Sequence, residues 1–233
     1  STVSVCAKPL IGIISTGDEL VEIDQVPARG QVRNVNTYLL DAVVRQAGGR
    51  VQSYGILRDN EAELLSLVTK AVSECDMVLI SGGSSVGMKD ATASVIETNG
   101  EMILHGIAMK PGKPTILGII DSKPVFGLPG HPVAAYFISR LFVRPLIGTL
   151  LGSDMKQYRI PAYISEAISS NHGRAEYMGV FLESSGERLT ARPIRGKSGL
   201  ITSLAGSDGY ICIPRDCEGL AKGAKVFVHL WNR

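Results

Sequence analysis

The sequence lacks any Cys-x-x-Cys pair among its four cysteines (Cys6, Cys75, Cys212 and Cys217), and its four histidines are dispersed. No zinc site or disulfide framework is legible in that pattern, and reduced thiols in a cytoplasm are the expectation. An uninterrupted apolar run is missing too. The most apolar segment, 133–151, is broken by Arg140, Arg144 and Pro145, and no charged-then-apolar leader opens the chain. The expectation is a soluble protein that is neither exported nor held in a membrane. Charge of one sign is not in excess, with 24 basic against 22 acidic side chains. Arg188, Arg192, Arg195 and Lys197 have no aromatic residues interleaved among them to stack bases, so a solvated face is read there and nucleic acid is set aside. The Walker A pattern and Gly-x-Gly-x-x-Gly are also absent.

What is present is ordinary for a globular protein: 45% hydrophobic and 20% charged residues over 233 positions, enough for one large domain or two. Apolar runs at 10–15, 50–56 and 77–81 alternate with helical periodicity at 37–47, 61–73 and about 91–98. Two short strands at 115–120 and 124–127 follow, then a helix over 132–144 that opens on Pro132. This order predicts an α/β domain over 1–152, a three-layer open and mostly parallel sheet. Beyond Gly152 short runs at 159–164, 176–183, 189–193, 209–213 and 225–230 are separated by turn residues, which predicts a small all-β, barrel-like domain over 153–233.

In an open α/β sheet the ligand lies outside the carboxyl ends of the strands. The first predicted strand runs into Thr16, Gly17, Asp18 and Glu19, and the second into Arg58 and Asp59. The third runs into Ser81, Gly82, Gly83, Ser84, Ser85, Val86 and Gly87, with Asp90 just beyond. Glycines and hydroxyls there let backbone N–H groups approach a phosphate, as anion nests do. The plainer alternative is a strand-to-helix turn with Asp90 as its N-cap. Asp18, Glu19, Asp59 and Asp90 would repel a phosphate unless a hard cation such as Mg²⁺ bridged them. Further along, prolines fix the loop Lys110, Pro111, Gly112, Lys113 and Pro114, which either aims two ammonium groups at an anion or is merely exposed. Leu128, Pro129, Gly130 and His131 then open a helix whose free N–H groups favour an anion, or form a plain turn.

Taken together in this order, Thr16-Gly17-Asp18-Glu19-Leu20, Asn36, Asp59, the Ser81–Gly87 loop with Asp90, Pro111-Gly112-Lys113-Pro114 and Leu128-Pro129-Gly130 resemble the molybdopterin-binding fold of molybdenum-cofactor biosynthesis proteins. The region with His172-Gly173-Arg174, Ser198-Gly199, Ser203-Leu204-Ala205 and Asp208-Gly209 resembles the C-terminal β-domain of molybdopterin molybdotransferases, the family that includes gephyrin's E domain. The resemblance implies an enzyme that takes adenylylated molybdopterin and molybdate, uses Mg²⁺, and releases molybdenum cofactor with AMP. It implies that Asp59 and Asp90 hold metal or assist pyrophosphate cleavage and that Glu19 acts near the transferred group. Thr16, Gly17, Asp18, Asn36, Ser81, Gly82, Gly83, Ser84, Ser85, Gly87, Pro129 and Gly130 would bind pterin or phosphates, and Lys110, Pro111, Gly112, Lys113 and Pro114 would form a charged wall. A homodimer is implied, with the adenylyltransferase of the same pathway as a partner. Family members carry two further domains ahead of Thr16, so a fragment is expected, in which binding outlasts turnover. His131 stands where the family usually has Asn.

Two other enzymes share the opening pattern. A molybdopterin adenylyltransferase normally lacks the β-domain, and a competence-damage-type protein usually has Thr at the position of Asp18. A non-catalytic scaffold that binds molybdopterin or proteins is the reading from a different class.

Overall fold

The computed structural model describes residues 2–82, 86–185, 188–194 and 201–231. They form two compact units: 1–107 with 114–155, and 108–113 with 156–233.

The first unit contains β1 (Leu10–Thr16), the short β2 (Leu20–Val21) and β3 (Val32–Arg33), then α1 (Asn36–Gln46), β4 (Arg50–Leu57), α2 (Glu61–Glu74), β5 (Met77–Gly82), α3 (Val86–Asn99) and β6 (Glu101–His105). Past β7 (Met109–Lys110), which belongs to the second unit, come β8 (Ile116–Ile120), β9 (Lys123–Leu128) and a helical stretch. That stretch runs through α4 (Pro132–Ile138), a π turn (Ser139–Val143) and α5 (Arg144–Leu150). The sheet order is β4-β1-β5-β9-β8-β6, with the first four strands parallel and the last two pairings antiparallel.

β1 and β5 are buried along nearly their whole length, which is why they read as unbroken apolar runs and not as alternating ones. Leu64, Val68, Ala71 and Val72 recur at helical spacing on α2 and pack with Ile14, Val78 and Ile80 and with Val95 and Ile96 of α3. Asn60 caps α2, its side chain accepting from the amides of Ala62 and Glu63. The sheet is mixed because β8 pairs antiparallel with β9 and β6, missed in the sequence, pairs antiparallel with β8; the exposed-intermediate alternation of β6 is that of an edge strand. The stretch 132–150 is long and apolar enough to cross a membrane by length and composition, yet 61% of it is buried within the protein. The π turn sits where Pro145, which has no N–H, removes a bond from the helical ladder.

The second unit contains β7, β10 (Arg159–Ile164), β11 (Ile168–Ser169), β12 (Ala175–Ser185), β13 (Arg188–Pro193), α6 (Thr202–Ala205), β14 (Gly209–Ile213), β15 (Gly219–Leu220) and β16 (Lys225–Leu230). Its sheet runs β13-β10-β16-β14-β12-β7, and a further β12–β13 pairing closes five of these strands into a barrel. Closure depends on the length of β12, which pairs with β14 over Glu176–Val180 and with β13 over Val180–Ser185. Ala162, Ile164, Val180, Ala191, Ile211, Ile213 and Val228 fill the barrel interior.

Candidate functional site

The four parallel strands of the first unit end level with one another. Thr16 pairs with Leu57 on one side and Gly82 on the other, while Ser81 stands opposite Leu128. The loops that follow therefore converge on one edge, where an open α/β sheet holds its ligand. Gly82 has φ +146°, and a Cβ there would stand 2.0 Å from the Thr16 carbonyl oxygen, so glycine is required for the two strand ends to approach.

Behind this edge lies a buried polar layer. Asn36, the first residue of α1, donates from Nδ2 to Ser81 Oγ and to the Gly130 carbonyl, both at 2.9 Å, and so ties the third strand end to the fourth loop. Its Oδ1 is buried without a hydrogen bond among the described residues, and so is Thr16 Oγ1, in a residue only 1% exposed. Such orphans are uncommon in folded proteins and each calls for an explanation. Ser15, Asn34 and Thr37 form a second network: Ser15 Oγ donates to Asn34 Oδ1 at 3.1 Å and lies 2.8 Å from Thr37 Oγ1. Motif reading passed over these three. The signal was a polar residue inside an otherwise apolar strand, next to an Asn-x-x-Thr spacing.

The carboxylates sit further out. Asp18 is exposed; its Oδ1 accepts from the Asp59 amide at 3.2 Å and lies 3.9 Å from Arg58 Nη1. The Gly17 amide donates to the Leu57 carbonyl at 3.1 Å, a second tie between these loops. Glu19 folds back over Gly17, where an added Cβ would meet its Oε2 at 2.6 Å. Asp90 is exposed on α3. Among the described residues no three of His, Cys, Asp and Glu gather as a closed metal cage.

Gly83, Ser84 and Ser85 lie outside the described residues, and Gly87 falls in the first turn of α3. Pro129 is buried and Pro114 is exposed, both in the first unit. Lys110, Pro111, Gly112 and Lys113, for which the resemblance implies a charged wall, belong to the second unit. The reason is backbone pairing: Met109 and Lys110 lie parallel to Ala175 and Glu176 of β12, and Lys110 Nζ sits 2.9 Å from Glu176 Oε1. The Glu176 carboxylate, nearly buried, also accepts from Ser170 Oγ at 2.7 Å. Lys110 thus neutralises a buried acid of the barrel.

Residues 12–149 match the family described as a probable molybdopterin binding domain, and residues 161–231 match the MoeA C-terminal region, domain IV. A Methanocaldococcus jannaschii protein named for molybdopterin biosynthesis is 36% identical over 94% of this chain and 54% of its own length. A molybdopterin molybdenumtransferase of Haemophilus influenzae is 31% identical over 97% of this chain and 57% of its own. The crystal structure of a molybdopterin biosynthesis MoeA protein from Pyrococcus horikosii superposes with a TM-score of 0.84 at 39% identity, covering 96% of this chain and 54% of that one. The chain spans about half the length of the relatives it matches. With the strand ends level at one sheet edge and both regions matched in order, the chain belongs to the family of probable molybdopterin-binding domains, here joined to a MoeA C-terminal region.

Proposed function

We propose that the carboxyl edge of the first sheet binds molybdopterin in its adenylylated form and that, within the longer protein, it serves insertion of molybdenum from molybdate with release of AMP. The observation that carries this reading is the pair of buried oxygens, Asn36 Oδ1 and Thr16 Oγ1, that find no hydrogen-bond partner among the described residues at the edge where the loops meet. An acceptor and a hydroxyl left without partners suit a ligand rich in amide and amine donors, as a pterin is. Gly82 and the Gly83, Ser84 and Ser85 loop would take the phosphates.

With no three-residue cage among the described residues, the edge would offer one or two carboxylates to a cation, and that donor set suits Mg²⁺ held jointly with phosphate oxygens and water. Asp59 and Asp90 would hold it; when bound it would neutralise phosphate charge. Glu19, resting on Gly17, would act near the group transferred. The free thiols of Cys6, Cys75, Cys212 and Cys217 suit a reducing cytoplasm, and a homodimer served by the pathway's adenylyltransferase completes the reading. The match to a MoeA C-terminal region favours molybdenum insertion over adenylyl transfer.

Calorimetric titration with adenylylated molybdopterin tests the site. Asn36→Ala removes both the orphan oxygen and the tie to Gly130, and affinity should fall by roughly tenfold or more. In the longer protein, Asp59→Asn and Asp90→Asn should depress Mg²⁺-dependent AMP release while melting stays close to the parent's. Normal release in both variants would remove the metal assignment, and unchanged affinity in Asn36→Ala would remove the binding edge. Binding without any AMP release in the longer protein would leave a scaffold.

A further inference from the structure

The sequence shows no aromatic residues among Arg188, Arg192 and their neighbours, but the barrel interleaves them in space. Residues alternate between interior and exterior along each strand, so Arg159, Pro161 and Tyr163 of β10 face outward with Lys225, Phe227 and His229 of β16. Arg188, Thr190 and Arg192 of β13, and Phe181 and Glu183 of β12, share that outer surface. Three guanidinium groups lie over three rings: Arg159 over Phe227 at 4.7 Å, Arg188 over Tyr163 at 5.3 Å and Arg192 over Phe181 at 4.8 Å. Lys225 stands directly opposite Tyr163, and Phe227 is 50% exposed. Among the described residues, four cations therefore share this face with one acid, Glu183.

We infer that this outer barrel face is a docking surface for an acidic polypeptide segment, engaged by Arg159 and Arg188 through bidentate bonds to its carboxylates. The face itself displays the chemistry. Arg192, stacked on Phe181, holds the Glu183 carboxylate with Nε at 2.6 Å from Oε1. Arg159 and Arg188 are stacked in the same manner, and no carboxylate of the described residues pairs with either of them. A guanidinium held over a ring has less side-chain freedom left to lose when a planar acid binds its N–H fork. The stacking also bears on the kind of partner: each of these three rings already carries a guanidinium over one face, which favours a partner that pairs with the guanidinium over one whose bases must stack on the rings.

Fluorescence anisotropy tests this with a short fluorescein-labelled peptide of alternating glutamate and serine, titrated with the full chain. Binding should weaken as salt rises and fall by roughly tenfold or more in Arg159→Ala/Arg188→Ala. Arg159→Lys/Arg188→Lys keeps the charge and removes the fork, and it should lose most of the same affinity. Full affinity there, or an equal loss in Lys70→Ala/Lys222→Ala, would reduce the effect to net charge and overturn the proposal. An oligothymidylate of the same charge that competes as well as the peptide would also overturn it, in favour of single-stranded nucleic acid. Should the alanine pair fail to fold, Arg159→Gln/Arg188→Gln keeps more of the side chain over the rings and is read by the same standard.

Discussion

At the residue scale, Thr16 separates folding from binding most cleanly. Its hydroxyl is buried without a partner among the described residues, so the free protein gains nothing from it and bears its desolvation. Thr16→Val keeps the branched shape suited to a central strand. The variant should be more stable than the parent by about 1 kcal/mol in urea unfolding. Affinity for molybdopterin should drop by roughly tenfold. Stability lost in place of stability gained would mean that the hydroxyl already has a partner in the free protein. The sequence singled out Thr16 as one letter of a motif. What burial adds is the opposite sign of its effects on stability and affinity.

At the scale of elements, β7 is a strand of two residues held to β12 by its register and by the Lys110–Glu176 pair. Lys110→Met would leave a nearly buried carboxylate with only Ser170 as a partner. A loss of about 2 kcal/mol in thermal or urea unfolding is expected, less than for a fully buried pair because the lysine is half exposed. Glu176→Gln/Lys110→Met removes both charges and should recover part of that loss; no recovery would show that the pair is not the cause. The barrel also carries a pH response. Burial foremost, then the neighbouring Cys212, pushes the Tyr177 phenol up from its ordinary value of 10 to about 12. The folded chain thus holds that proton more tightly than the unfolded chain does. Its contribution is intact below pH 10 and is lost as pH rises from 10 towards 12. Tyr177→Phe should flatten that limb of the stability curve, measured by urea unfolding across the range.

At the scale of the whole molecule, the two units each have their own hydrophobic core, but the chain does not divide at a single point because 108–113 belongs with the barrel. Ending the chain after Met155 should leave a first unit that unfolds cooperatively, since its sheet and helices keep their packing. Amide exchange should become fast at 108–113, where the pairing with Ala175 and Glu176 is lost, and stay slow in β1 and β5. Complete loss of cooperative unfolding in the truncated chain would show that the cores are not independent.

Much of this was legible in the sequence because it depends on local pattern. Unbroken apolar runs at β1 and β5 announce strands covered on both faces, spacing on α2 fixes its buried stripe, and glycines and carboxylates after the strands mark the loops proposed as a ligand edge. The family resemblance came from those same loops and holds. Other features depend on which residues meet across long stretches of chain, and no local period encodes them. Asn36 meets Gly130 and Ser81 only because parallel strands bring remote loops level, and Lys110 joins Glu176 only through a strand too short to carry a pattern. The arginines find their rings on neighbouring strands and not along their own, because cross-strand neighbours in a closed barrel are set by register, which only the tertiary structure decides.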